Sequence, residues 1–147
     1  MRSPACLVAL SLLAGCSNAP YATALTASSP SPAPDVLQCA RDQLKAVRFD
    51  QTSIDVNDYR LTARKFDETA RRPDVQFRRI VDRLEIQAAP ASDGTTTVKV
   101  TPRTFAEYTT QRGPTEVQEK TSTTAQAAAE TLLQKCSQPV DSTSVPG

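Results

Sequence analysis

The chain has 147 residues, with 17 Lys and Arg against 16 Asp and Glu and neither His nor Trp. That length holds one modest domain, and so even a charge balance gives no global steering toward nucleic acid. Without histidine, Ser-His-Asp and Cys-His catalysis and His-ligated zinc are excluded, and the 5% aromatic content leaves the core to Leu, Val, Ile and Ala.

In chain order, Arg2 supplies a thin basic start and Ala5 to Leu13 an apolar run. The run is too short to span a bilayer but fits a secretory signal. It closes on Leu13-Ala14-Gly15-Cys16. From the residues alone this is a lipidation signal, an ordinary signal with an incidental cysteine, or a buried apolar helix. The tetrad resembles the lipobox of bacterial lipoprotein precursors. That resemblance implies that residues 1–15 form a signal peptide and that the Cys16 thiol receives a diacylglyceryl group and becomes the first mature residue. Each buried CH₂ contributes roughly 0.8 kcal/mol, so several acyl chains anchor firmly where one would not. Ser17, rather than Asp, follows the cysteine. By the same resemblance this favours a cell-envelope location, in the outer membrane facing the periplasm.

Residues 16–34 are rich in Ser, Pro, Ala and Thr, and Pro30, Pro32 and Pro34 alternate with small residues. This composition predicts an extended tether, reaching roughly 55 Å in polyproline-like conformation. Residues 138–147 predict a disordered tail by the same reasoning. The folded domain is then expected over 35–137.

Asp35 is expected to cap a helix over 36–47, with Leu37, Ala40, Leu44 and Val47 on one face. Phe49 to Val56 predicts a strand, Asn57-Asp58 a turn, and Tyr59 to Phe66 a second strand. Asp67 to Gln76 predicts a loop. Ile80 to Ala88 predicts a third strand, Asp93-Gly94 a hairpin turn, and Thr95 to Tyr108 a fourth strand that Pro102 bends or places at an edge. Arg112-Gly113-Pro114 turns the chain. Ala125, Ala128, Ala129, Leu132, Leu133 and Cys136 mark a closing helix with a capping-box pattern at Thr123 to Gln126. The expected fold is α+β: an antiparallel sheet of about four strands with both helices on one face.

Setting aside Cys6 and Cys16 leaves Cys39 and Cys136, one in each predicted helix. In an oxidising compartment such a pair reads as a disulfide, worth on the order of 4–5 kcal/mol on the chain-entropy model. A redox or metal pair lacks a Cys-x-x-Cys and a completing His; two buried thiols that never meet are the remaining alternative.

The close carboxylates Asp55/Asp58, Asp67/Glu68 and Glu116/Glu119 sit in turns or polar segments, where turn capping and solubility explain them. No catalytic residue, metal ligand or cofactor is assigned, and no enzymatic activity is expected. Charge is uneven, however. Residues 60–83 hold eight basic groups against four acidic ones. Arg71, Arg72, Arg78 and Arg79, placed around Phe66 and Phe77, are candidate contacts for an anionic partner; a solvated hairpin is the competing explanation.

The leading helix (Leu37–Val47), Phe49, the Asp55–Asp58 turn and the strand Tyr59-Arg60-Leu61-Thr62-Ala63-Arg64 are similar to the helix-grip domains of BamC-type envelope lipoproteins. The resemblance covers about a third of the domain and implies the fold class alone. The expected function is a membrane-anchored, non-enzymatic interaction or adaptor module. The alternative is a carrier or sensor of an anionic amphiphile held between sheet and helices. The expected partners are the membrane, through the lipid, and an envelope protein or polymer, with no nucleic acid.

Overall fold

A computed structural model describes residues 21–138. The chain runs β1 (Leu25–Ser29), α1 (Ala33–Ala46), β2 (Asp50–Asp55), β3 (Arg60–Asp67), β4 (Phe77–Pro90), β5 (Thr96–Thr110), β6 (Gly113–Glu119) and α2 (Thr123–Cys136). All six strands form one antiparallel sheet in the order β1-β5-β4-β3-β2, with β6 also paired to β5. The fold is α+β as expected, but with six strands rather than four.

Register explains the layering. Leu61 faces Ile86, which faces Val100, and Ala63 faces Leu84. Partners across an antiparallel pair point to the same side, so these residues share one face. Together with Ala88 and Val98 they enclose a core with Val36, Leu37, Ala40 and Leu44 of α1 and Ala128, Ala129 and Leu132 of α2. Both helices therefore cover the same face, and the other face of the sheet is left open.

The expected tether boundary at residue 35 does not hold. Leu25–Ser29 pairs with Thr96–Val100, and Ala33 and Val36 are buried in the core, so the folded unit takes in ten residues assigned to the tether. Small residues suit this position, because Ala27 and the fully buried Ser29 lie where the sheet meets the helices. The helix caps also shift. α1 begins after Pro32, whose side chain offers no cap, with proline in its first turn, and Asp35 sits inside that turn. α2 is capped by Ser122 rather than from Thr123. The signal, Cys16 and the start of the tether lie outside the described residues, as does the tail beyond Gln138.

Two backbone features position the sheet. α1 ends in a Schellman motif: Arg48 N–H bonds the Lys45 carbonyl, Phe49 N–H bonds the Leu44 carbonyl, and Arg48 takes φ 59°. Phe49 and Leu44, the positions of the accompanying apolar contact, are both buried in the core cluster. Pro102 lies in the long strand β5, opposite Leu84 on β4. On the other side β1 pairing ends at Val100 and β6 pairing starts at Thr104. Pro102 falls in the gap, where its missing N–H interrupts no ladder. Its carbonyl accepts from Thr121 Oγ1 at 3.5 Å.

Candidate docking face

The uncovered face of the sheet carries residues of the opposite parity. Arg64 on β3 stands opposite Arg83 on β4, and Arg83 opposite Arg103 on β5. Three arginines thus form one cross-strand row. In the next row Phe66 faces Val81 and Val81 faces Phe105. On the other side of the arginines lie Thr62, Glu85 and Thr101, again in register.

Like charges directly opposite one another destabilise a sheet, so each guanidinium needs something to hold it. The aromatic row supplies part of this. The Arg64 guanidinium carbon lies 4.8 Å from the Phe66 ring centroid, and that of Arg83 lies 4.6 Å from the Phe105 centroid. Carboxylates supply the rest unevenly. Glu116 of β6 takes Arg83 Nη2 at 2.6 Å, while Glu85 reaches Arg103 only at 3.9 Å. Arg64 has no carboxylate within ion-pair distance among the described residues. The Arg83 and Arg103 side chains keep 43% and 46% of their surface exposed, enough to meet a partner. A depression of about 360 Å³ opens over this row, lined by Thr52, Thr62, Thr101 and Phe105 with the three arginines.

The four arginines singled out from the sequence are each bonded to groups of the fold, and Arg78 and Arg79 share Glu107. Arg72 forks onto Glu119, its Nη2 donating to Oε2 at 2.6 Å, and stacks on Phe77 at 4.9 Å. This hydrogen bond holds the Glu119 carboxyl below its ordinary range and pushes the Arg72 guanidinium up. Arg79 is bound to the buried Glu107 at 3.1 Å and covers Phe66 at 3.6 Å. Arg78 reaches the same Glu107 at 3.3 Å. Arg71 donates to the carbonyls of Glu68 and Ala70. The structure therefore engages these side chains within the fold and gathers Arg64, Arg83 and Arg103 instead.

Cys39 and Cys136 form a disulfide between α1 and α2, with Cα atoms 5.7 Å apart. The carboxylates of the turns cap backbone, as their positions suggested: Asp55 accepts from Asn57 and Asp58, and Asp67 from Thr69 and Ala70. Hydrogen bonds from Thr69 and Thr95 hold Asp67 and Asp93 below the usual carboxylate range. Glu116 and Glu119 instead serve Arg83 and Arg72.

Arg103 escaped the sequence reading because it lies outside the basic segment. The signal that finds it is the hairpin turn. Fixing Asp93-Gly94 as the tip, with Pro90 opposite Thr96, places Arg83 opposite Arg103 by counting back along both strands.

No family model matches the chain, and no curated protein matches it.

Proposed function

We propose that this chain is a lipid-anchored lipoprotein of the cell envelope that works as a non-enzymatic interaction module, docking through the open face of its sheet. The anchor reading rests on the Leu13-Ala14-Gly15-Cys16 tetrad, and the outer membrane is its proposed site. The docking reading is carried by one observation. The helices cover only one face, and the other presents an in-register arginine row whose charges the fold leaves incompletely matched. The space between sheet and helices is filled by buried Leu44, Leu61, Leu84, Ile86, Val100 and Leu132, which speaks for docking on the surface rather than carriage of a lipid inside.

Thr101→Trp places an indole in the depression and tests the reading. Envelopes solubilised in mild detergent should yield fewer co-purified components with the variant than with the natural chain, at unchanged melting temperature. An unchanged set of co-purified components sinks the docking reading.

A further inference from the structure

The open face has an unbalanced charge pattern, and its geometry narrows the partner. Strands lie about 4.8 Å apart, so the Cα atoms of Arg64, Arg83 and Arg103 span roughly 10 Å in a line across the sheet. Arg83 uses Nη2 on Glu116, and its Nε and Nη1 make no hydrogen bond among the described residues. Arg103 meets Glu85 at 3.9 Å, beyond hydrogen-bonding distance. Arg64 meets no carboxylate there. The Arg64 and Arg83 guanidiniums sit over Phe66 and Phe105, 4.8 and 4.6 Å from the ring centroids. We infer that the Arg64–Arg83–Arg103 row is a binding site for the carboxylates of an acidic protein segment, an inference that rests on the docking reading above.

Five features favour this occupant. The row holds three guanidiniums against two carboxylates, Glu116 bound to Arg83 at 2.6 Å and Glu85 lying 3.9 Å from Arg103, so an incoming anion restores balance. Guanidinium forks match carboxylates in bidentate geometry. The row lies in a recess, which admits the side chains of a narrow segment rather than a flat membrane surface. In an extended segment, side chains at alternate positions lie on one side roughly 6.7 Å apart, so two acidic residues fit within the roughly 10 Å span of the row. The Thr101 hydroxyl lines the same recess and can donate to the segment, while the Thr52 and Thr62 hydroxyls hydrogen-bond each other at 2.9 Å.

The test is fluorescence anisotropy with a labelled oligoglutamate peptide and the complete mature chain in mild detergent. Arg64→Gln alone, which breaks no ion pair in the fold, should weaken binding several-fold. The triple variant R64Q/R83Q/R103Q should weaken it roughly tenfold or more, since a hydrogen bond between charged groups contributes more than a neutral one. R41Q/R71Q/R112Q removes the same charge elsewhere and should stay within about twofold of the natural chain. Circular dichroism confirms that each variant is folded. Equal weakening in both triple variants, absence of peptide binding, or binding to phosphatidylglycerol vesicles in preference to the peptide overturns the inference. If Thr101→Trp strips envelope partners while R64Q/R83Q/R103Q keeps them, docking stands and the acidic partner falls.

Discussion

The Ser122 hydroxyl donates to Asp82 at 2.8 Å while accepting the Ala125 N–H at 3.0 Å. One side chain thus caps α2 and satisfies a carboxylate that is 4% exposed in the middle of the sheet. Thr104 completes the arrangement, donating to Asp82 at 2.6 Å and accepting the Ser122 N–H at 2.8 Å. The helix start is therefore locked to β4 and β5. Ser122→Ala removes the cap and one partner of the buried carboxylate, and should cost about 2 kcal/mol in urea unfolding. Thr124→Ala, at an exposed position of the first turn, should cost only a few tenths.

Reduction of the Cys39–Cys136 bridge releases a constraint across a separation of 97 residues. On the chain-entropy model this lowers stability by about 4–5 kcal/mol. The paired Cys39→Ala, Cys136→Ala variant should match the reduced protein in denaturant midpoint. An equal midpoint for oxidised and reduced protein contradicts the staple.

Arg48 occupies the left-handed position of the Schellman motif that glycine fills best, and its side chain is exposed. Arg48→Gly should therefore be neutral to stabilising, by up to about 1 kcal/mol, since the relief of the left-handed strain exceeds the added freedom of the unfolded chain. A clear drop in stability counts against the assigned role of that turn.

The Arg72–Glu119 pair gives a pH signature. The Arg72 hydrogen bond depresses the Glu119 carboxyl. Its stabilisation is therefore complete above the unfolded carboxylate value near pH 4.3 and is lost as the pH falls through the lower folded value. The natural chain should exceed Arg72→Gln in stability by less than about 1 kcal/mol at neutral pH, because both side chains are partly exposed. That difference should shrink in acid to what the Arg72 contact with Phe77 contributes, as measured by unfolding from about pH 6 to pH 2.

The anchor is tested by growth with an alkyne fatty acid. Cys16→Ala should lose acyl labelling and appear in the soluble envelope fraction, while the natural chain labels and sediments with membrane. A labelled, membrane-bound variant removes the lipobox reading.

Much of the interior was legible in the sequence because it follows simple periods. The α2 face (Ala125 to Cys136) and the alternation in β3 to β5 each bury one side, and burial leaves a readable trace. The strands β1 and β6 leave no such trace. β6 is exposed on both sides apart from Gly113 and Glu119, and β1 is built of Leu, Thr, Ala and Ser, so neither shows an apolar stripe. Their pairing is dictated by the free edge of β5, a property of the assembled sheet. The docking face was half legible: Arg64 and Arg83 lay in the basic segment, but their alignment with Arg103 depends on hairpin register rather than composition. The charge count drew attention to Arg72, Arg78 and Arg79, whose partners Glu107 and Glu119 lie far away in sequence. Ion pairing across strands consumes such charges in ways a local count does not register.

The central claim, that the uncovered sheet face is where this protein meets its partner, is tested most directly by photo-crosslinking in intact cells. A photoreactive residue replaces Thr101 on the open face in one strain and Glu130 on the exposed side of α2 in another. Adducts should form from position 101, identify by mass spectrometry a protein with an acidic segment, and be absent from position 130. Adducts confined to position 130, or equal at both, contradict the account.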